Sequence, residues 1–207
     1  MIWCPYTDRD LDESETNEEH ILPLALGGCN QFVLQVDRSV NCSVGSEIDG
    51  LIAKEFGVKF ARRGFNSEGQ SGKEPEVVFK HATFEGRPVQ VQFLGGGNLP
   101  RVWDLKARRY LEPDEIIGKQ ITLNFAIDDM VRFRFAAKVA LSAGYFAFGD
   151  WWRQNVDHTQ ARSVMNIRTL AEWESAKPKS LVHDLYREMP QDDKVRSEER
   201  RVGKECQ

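Results

Sequence analysis

Two stretches decide the local fold of the N-terminal region: EEHILPLALGG at residues 18–28 and FVLQVDRSVNCSVGSEIDG at residues 32–50. In the first, His20 starts an apolar run that ends in a Gly-Gly pair, which favours a short extended segment closed by a turn. In the second, residues 32–36 are rich in residues typical of strands. Because a turn separates the two extended segments, the sequence predicts a tight β-turn-β pair.

A helix is predicted directly after the second strand. Asp37 is a good N-cap, and apolar residues recur behind it at spacings of three and four. These residues are Val40, Val44, Ile48, Leu51 and Ile52. The helix is predicted to end near Gly57, so the local order is β, β, α. The preceding acidic stretch 8–19 contains almost no apolar residue and is predicted to be a loop or hairpin tip.

The remainder of the chain also mixes strand and helix patterns. The patterns predict a loop over 64–75, a hairpin over 76–94 that turns at Glu85 and Gly86, a strand over 119–125, and helices over 129–144, 151–155 and 170–175. The expected fold class is therefore α+β, with a mostly antiparallel sheet. We expect an N-terminal ββα unit over 1–60 and an α+β companion region over 61–195.

Charge is distributed unevenly along the 207 residues. The chain has a net charge of −4, but residues 1–53 carry −8 and residues 54–109 carry +5. A net negative charge argues against a protein that coats nucleic acid by bulk positive charge. An acidic start before a basic middle suits a cation site beside a phosphate-binding surface, although ordinary solvated faces give the same imbalance.

The two chain ends bear on compartment and on the extent of the natural sequence. No apolar run approaches the ~20 residues that a membrane helix needs, and the first residues lack a secretory signal, so we expect a cytoplasmic protein. The segment RSEERRVGKEC at residues 196–206 resembles a translated sequencing adapter. We therefore expect residues 196–207 to be an adapter-derived tail and the natural chain to be truncated near Val195.

The order of residues in the two N-terminal stretches resembles the HNH endonuclease family. The resemblance rests on an acid-His pair, a Pro followed by a Gly-Gly turn, and a later Asn that opens a helix, and it covers about residues 3–57. A weaker similarity to the same proteins occurs in FRFAAKVALSAGYFAFG near residues 132–149. The resemblance implies a ββα-metal fold that hydrolyses DNA phosphodiester bonds.

The residue types in this motif suit phosphodiester hydrolysis. The reaction needs a water that loses a proton and a cation that stabilises the leaving oxygen. His20 is the best candidate for the general base at neutral pH. Glu19 and Asn41 offer oxygen ligands for a hard cation such as Mg²⁺. The resemblance implies the same three roles, together with a middle Asn that orients the histidine.

The sequence departs from the family pattern in two places. Phe32 occupies the usual position of the middle Asn, so the orienting role falls to Asn30, two residues earlier. Relatives often hold the unit together with two C-x-x-C pairs bound to zinc. Here the corresponding positions are Cys4 with Thr7 and Asp37 with Val40. No structural zinc is expected, and packing by Trp3, Tyr6 and Phe32 is expected in its place.

The proposed partner is DNA, and three function classes stay open. Phosphate contacts are predicted for Arg62, Arg63, Lys73 and Lys80, which suit either this role or simple solubility. The first hypothesis is a DNA endonuclease that uses Mg²⁺ or another divalent cation. The second is a catalytically inactive module that binds nucleic acid. The third is a protein-interaction domain. The oligomeric state is left open.

Overall fold

The chain is described by a computed structural model that covers residues 1–64, 76–94, 99–124 and 128–176. Within these residues the fold is α+β with antiparallel sheets, as the sequence predicts. The predicted tail at 196–207, the candidate DNA contact Lys73 and most of the predicted loop over 64–75 lie outside the described residues.

The N-terminal region contains two small antiparallel sheets. Strands β1 (Ile2–Cys4) and β2 (Arg9–Leu11) form the first, and β3 (Thr16–His20) and β4 (Val33–Asp37) form the second. In the second sheet Thr16 lies opposite Asp37 and His20 lies opposite Val33. The prediction of a loop or hairpin tip over 8–19 is therefore wrong, because most of this stretch belongs to β2, a short 3₁₀ turn and β3.

The first strand of the predicted pair lies before the apolar run in which it was expected and shares only His20 with that run. It covers Thr16–His20, and the apolar residues Leu24–Leu26 form a single 3₁₀ turn instead. Gly27 ends this turn with φ of +89°, a left-handed conformation that favours glycine. Two backbone oxygens of this strand accept hydrogen bonds from helical side chains: that of Glu18 from Asn41 and that of His20 from Lys138.

The predicted helix follows β4 directly. It comprises α1 (Arg38–Val44), a wider π-helical turn over Gly45–Asp49, and α2 (Gly50–Ile52). The carboxylate of Asp37 accepts hydrogen bonds from the backbone N–H groups of Ser39 and Val40, which confirms the N-cap. Val44, Ile48 and Ile52 are buried, but Leu51 is 41% exposed and does not belong to the buried face.

Helix α3 (Phe56–Gly64) precedes a five-stranded antiparallel sheet in the chain. Its strands are β5 (Val77–Phe84), β6 (Arg87–Phe93), β7 (Arg101–Asp104), β8 (Arg109–Tyr110) and β9 (Ile121–Leu123), in the order β8-β7-β6-β5-β9. The short helix α4 (Pro113–Ile116) lies between β8 and β9. The hairpin of β5 and β6 is the one predicted from the sequence.

The C-terminal helices complete the core of the N-terminal region. They are α5 (Asp129–Phe148), α6 (Asp150–Asn155), α7 (Thr159–Met165) and α8 (Leu170–Ala176). One apolar cluster combines Tyr6, Val36 and Ile48 with Leu141 and Met165, so residues far apart in sequence bury each other. A separate cluster around Phe79, Val89 and Val102 packs the five-stranded sheet.

The three aromatic residues that were expected to pack in place of a zinc site are not all buried. Trp3 and Tyr6 are each 2% exposed, but Phe32 is 39% exposed and packs edge-on against Phe146. Phe32 is therefore not part of the buried packing that was expected around Trp3.

None of the helices in the described ranges combines the length and apolar content needed to cross a membrane.

Candidate functional site

His20 is the last residue of β3 and lines an open cleft of about 290 Å³. The cleft lies between the end of β3, the turn that follows it, and the helix after β4. Its lining residues are Glu19, His20, Pro23, Leu24, Ala25, Gly45, Asp49, Gly50 and Ala53. Most of these side chains are small, so the imidazole of His20 has open space beside it and is only half-buried.

The turn after His20 brings Asn30 back onto the imidazole. The backbone N–H of Ile21 donates to the carbonyl of Phe32 at 3.0 Å, and that of Gly28 donates to the carbonyl of Pro23 at 3.1 Å. This folded turn places Oδ1 of Asn30 3.0 Å from Nε2 of His20. A carboxamide oxygen only accepts hydrogen bonds, so the contact holds a proton on Nε2 and leaves the lone pair on Nδ1.

Asn41 lies on α1 and faces strand β3. Its Nδ2 donates to Oδ1 of Asn17 and to the backbone oxygen of Glu18, each at 3.0 Å. Because Nδ2 makes both contacts, Oδ1 of the same amide is directed elsewhere. Asn41 is half-buried and is not among the residues that line the cleft.

Glu19 is held by a buried lysine that the sequence motif does not include. The Glu19 side chain is 7% exposed, and its Oε1 lies 2.5 Å from Nζ of Lys138, whose side chain is fully buried. Lys138 belongs to α5, within the segment that showed a weaker similarity to the HNH family. The signal in the sequence was a single lysine inside an otherwise apolar run, FAAKVAL.

Asp49 also faces Lys138 rather than solvent. Its Oδ2 lies 3.2 Å from Nζ of Lys138, and its side chain is 14% exposed. Burial raises the pKa of Asp49 to about 6, the Lys138 ammonium opposes that rise, and the Glu19 carboxylate adds to it. Asp49 therefore faces the interior and not the polar outer side of the helix.

Cys4 and Asp37, two of the four positions that the sequence resemblance compares with zinc ligands, are linked by a hydrogen bond. Cys4 is fully buried, and its Sγ accepts a hydrogen bond from the backbone N–H of Asp37 at 3.3 Å. The carboxylate of Asp37 also pairs with Arg9 of β2 at 2.5 Å. These contacts join the β1–β2 hairpin to the start of α1.

The candidate metal ligands form no dense acidic cluster. Within the described ranges, no three His, Cys, Asp or Glu side chains are grouped so that they hold a metal ion. The pair expected from the sequence, the Glu19 carboxylate and the Asn41 carboxamide, has too few members to count as such a group.

Two of the candidate DNA contacts, Arg62 and Lys80, can be compared with the cleft. Arg62 is half-buried on α3, and Lys80 is exposed on β5. Arg63 is also on α3. Neither Arg62 nor Lys80 lines the cleft around His20. Of the predicted site residues, Glu19 and His20 line the cleft and Asn30 contacts His20.

Comparisons with protein-family models, with curated proteins and with solved structures returned no match to this chain. Its function is therefore argued from the geometry of its own side chains.

Proposed function

We propose that this chain is an HNH-type endonuclease that hydrolyses DNA phosphodiester bonds with the help of a divalent cation. The observation that carries the proposal is the 3.0 Å contact between Asn30 Oδ1 and His20 Nε2 beside an open cleft. It fixes one tautomer of the imidazole and leaves Nδ1 as the proton acceptor. A general base needs that arrangement to activate a water molecule.

The order of elements also supports the proposal. Two antiparallel strands, β3 and β4, lead directly into α1, and His20 and Asn41 lie on the first strand and the helix. This is the order expected of the ββα-metal unit. The turn between the strands contains Pro23, Gly27 and Gly28, the residues on which the family resemblance rests.

Two side chains of the unit each keep an oxygen of the type that a hard cation prefers, although only Glu19 of the two lines the cleft. Glu19 uses Oε1 for Lys138, which leaves its second carboxylate oxygen, and Asn41 uses Nδ2 for β3, which leaves Oδ1. Both are oxygen donors of the kind that Mg²⁺ prefers. When bound, the cation would stabilise negative charge on the phosphate and leaving oxygen. Glu19 and Asn41 are the residues proposed to hold it.

In the proposed reaction, His20 accepts a proton from water at Nδ1 as the water oxygen attacks phosphorus. Asn30 stabilises the imidazolium that forms, because its oxygen accepts the hydrogen bond from Nε2–H. The P–O bond to the leaving oxygen breaks, that oxygen takes up a proton from solvent water, and Nδ1 of His20 then releases its proton to solvent. Arg62, Arg63 and Lys80 are proposed to contact phosphates farther along the DNA.

The test is nicking of supercoiled plasmid DNA by the wild-type chain and by His20→Ala, with Mg²⁺ and with EDTA. We expect wild type to nick the plasmid only with Mg²⁺, and His20→Ala to be at least roughly 100-fold slower. Equal cutting by both proteins would assign the signal to a contaminant and would exclude His20 as the base.

A second candidate is supported by the ion pair between Glu19 and Lys138. Because this pair already uses one carboxylate oxygen, the unit also suits a module that binds nucleic acid without cutting it. Such a module would shift DNA in a gel with a steep salt dependence and would give no nicked product. Absence of a shift at low salt would exclude this candidate.

A further inference from the structure

Lys138 joins three parts of the candidate site through one atom. Its Nζ lies 2.8 Å from the backbone oxygen of His20 and 3.2 Å from that of Ile21. The same atom contacts the carboxylates of Glu19 at 2.5 Å and Asp49 at 3.2 Å. The ammonium group therefore has four oxygen neighbours at the end of β3, and the lysine side chain is 0% exposed.

Stability alone does not explain a fully buried lysine in an apolar helix. Removing an ammonium group from water is costly, and apolar side chains of similar volume often serve a core equally well. An ammonium group, unlike an apolar group, holds several oxygen atoms in fixed positions at once. Here those oxygens belong to the backbone of the candidate base, to a candidate metal ligand and to the helix that forms the other side of the cleft.

We propose that Lys138 is a positioning residue for the His20 site. By binding the backbone oxygens of His20 and Ile21, it holds the point where β3 ends and the turn to Asn30 begins. By binding Oε1 of Glu19, it also fixes the position of this carboxylate at the cleft. This inference rests on the proposed nuclease function, and misplacement of a reacting group by about 1 Å can lower a rate by roughly 100-fold.

Arg134 offers a matched control on the same helix. It is also buried, at 4% exposure, and lies one turn before Lys138. It donates to the backbone oxygen of Met165 at 3.1 Å and pairs with Glu47, so its described contacts do not include β3. Removing either cation perturbs the core of α5, but only Lys138 contacts the His20 backbone in this way.

The test compares plasmid nicking by the full chain as wild type, Lys138→Met and Arg134→Met, each assayed well below its melting temperature. We expect Lys138→Met to lower kcat by about 10- to 100-fold and to change the KM for DNA by less than about twofold. Arg134→Met is expected to keep kcat within about threefold of wild type. Equal loss in both variants, or an unchanged kcat in Lys138→Met, would overturn the proposal.

A second measurement separates this inference from the nuclease proposal. Amide hydrogen exchange at Ile21, whose N–H donates to Phe32 across the turn, is expected to be at least roughly tenfold faster in Lys138→Met and unchanged in Arg134→Met. If wild type does not cut DNA, the nuclease proposal fails and the exchange result alone decides whether Lys138 holds the turn. Unchanged exchange at Ile21 would overturn the positioning role. Lys138→Gln, which keeps a donor, replaces Lys138→Met if the latter does not fold.

Discussion

Asn30 Oδ1 and His20 Nε2 lie 3.0 Å apart, although ten positions of chain separate the two residues. The contact exists because the turn between them is closed by its own backbone hydrogen bonds, including that from Gly28 to Pro23. Phe32 stands where the sequence resemblance leads one to expect an orienting amide, and its ring packs on Phe146. Asn30 thus provides, from two residues earlier, the acceptor that fixes the imidazole.

Replacing Asn30 tests the importance of this contact for the proposed reaction. Asn30→Ala removes the acceptor, so the imidazole is free to rotate and to change tautomer. We expect kcat for plasmid nicking to fall by roughly 10- to 100-fold. Asn30→Asp keeps an acceptor and should retain most of the rate. The neighbouring exposed residue Gln31, changed to Ala, is the control, and a wild-type rate in Asn30→Ala would show that the contact does not orient the base.

Removing the N-cap of α1 is expected to lower the stability of the fold without changing any reacting group of the proposed site. Asp37→Ala removes the acceptor of the Ser39 and Val40 N–H groups and the partner of Arg9. We expect about 1–2 kcal/mol of destabilisation, measured by urea unfolding at pH 7. Asp37→Asn should lose less, because the amide oxygen still accepts. Equal stability of Asp37→Ala and wild type would show that the cap is dispensable.

The same carboxylate gives a pH dependence of known sign. Burial by itself would raise the pKa of Asp37, but hydrogen bonds from Ser39, Val40 and Arg9 outweigh it and lower the pKa below 3.8. A lowered pKa means that the unfolded chain binds the proton more readily. The stability contributed by Asp37 is therefore present above about pH 4 and is lost as the pH falls through the folded-state pKa.

The sequence predicts the parts of this fold that depend on local pattern. The N-cap at Asp37, strand β4 and the β5–β6 hairpin follow from capping chemistry, strand propensity and turn residues within a few positions. Strand β3 is missed because its residues, TNEEH, have no apolar face. Its polar groups are paired by Asn41 and by Lys138, and the latter is more than one hundred positions away.

The candidate site divides in the same way. The order of residues in the motif predicts Glu19, His20 and Asn41 as site residues, and a small offset to that order predicts Asn30. Lys138 and the inward orientation of Asp49 follow only from the packing of α5 on the N-terminal region. Long-range pairing of charges has no period or fixed spacing in the sequence. It is visible in advance only as a lysine that interrupts an apolar run.

The raised pKa of Asp49 predicts that stability falls as the pH rises. Between its usual value of 3.8 and the folded-state value of about 6, the native protein holds a proton that the unfolded chain has released. The asparagine side chain of the Asp49→Asn variant cannot titrate. We therefore expect the free energy of unfolding of Asp49→Asn, relative to wild type, to increase by about 1–3 kcal/mol between pH 4 and pH 6.5. Urea unfolding at each pH measures it, with exposed Asp114→Asn as the control, and a constant difference would contradict the buried placement of Asp49.

Two glycines near the cleft are expected to respond to alanine in opposite directions. A Cβ on Gly28 would lie 1.7 Å from the backbone oxygen of Leu22, so the turn that returns Asn30 to His20 has to open. We expect Gly28→Ala to destabilise the protein by about 1–3 kcal/mol and to slow the proposed cleavage. A Cβ on Gly45 would meet no heavy atom within 4 Å, and alanine there is expected to stabilise the helix by about 0.5–1 kcal/mol. Thermal melts of the two variants measure these changes. Similar shifts in melting temperature for both would mean that the turn does not pack as tightly on Gly28 as its geometry requires.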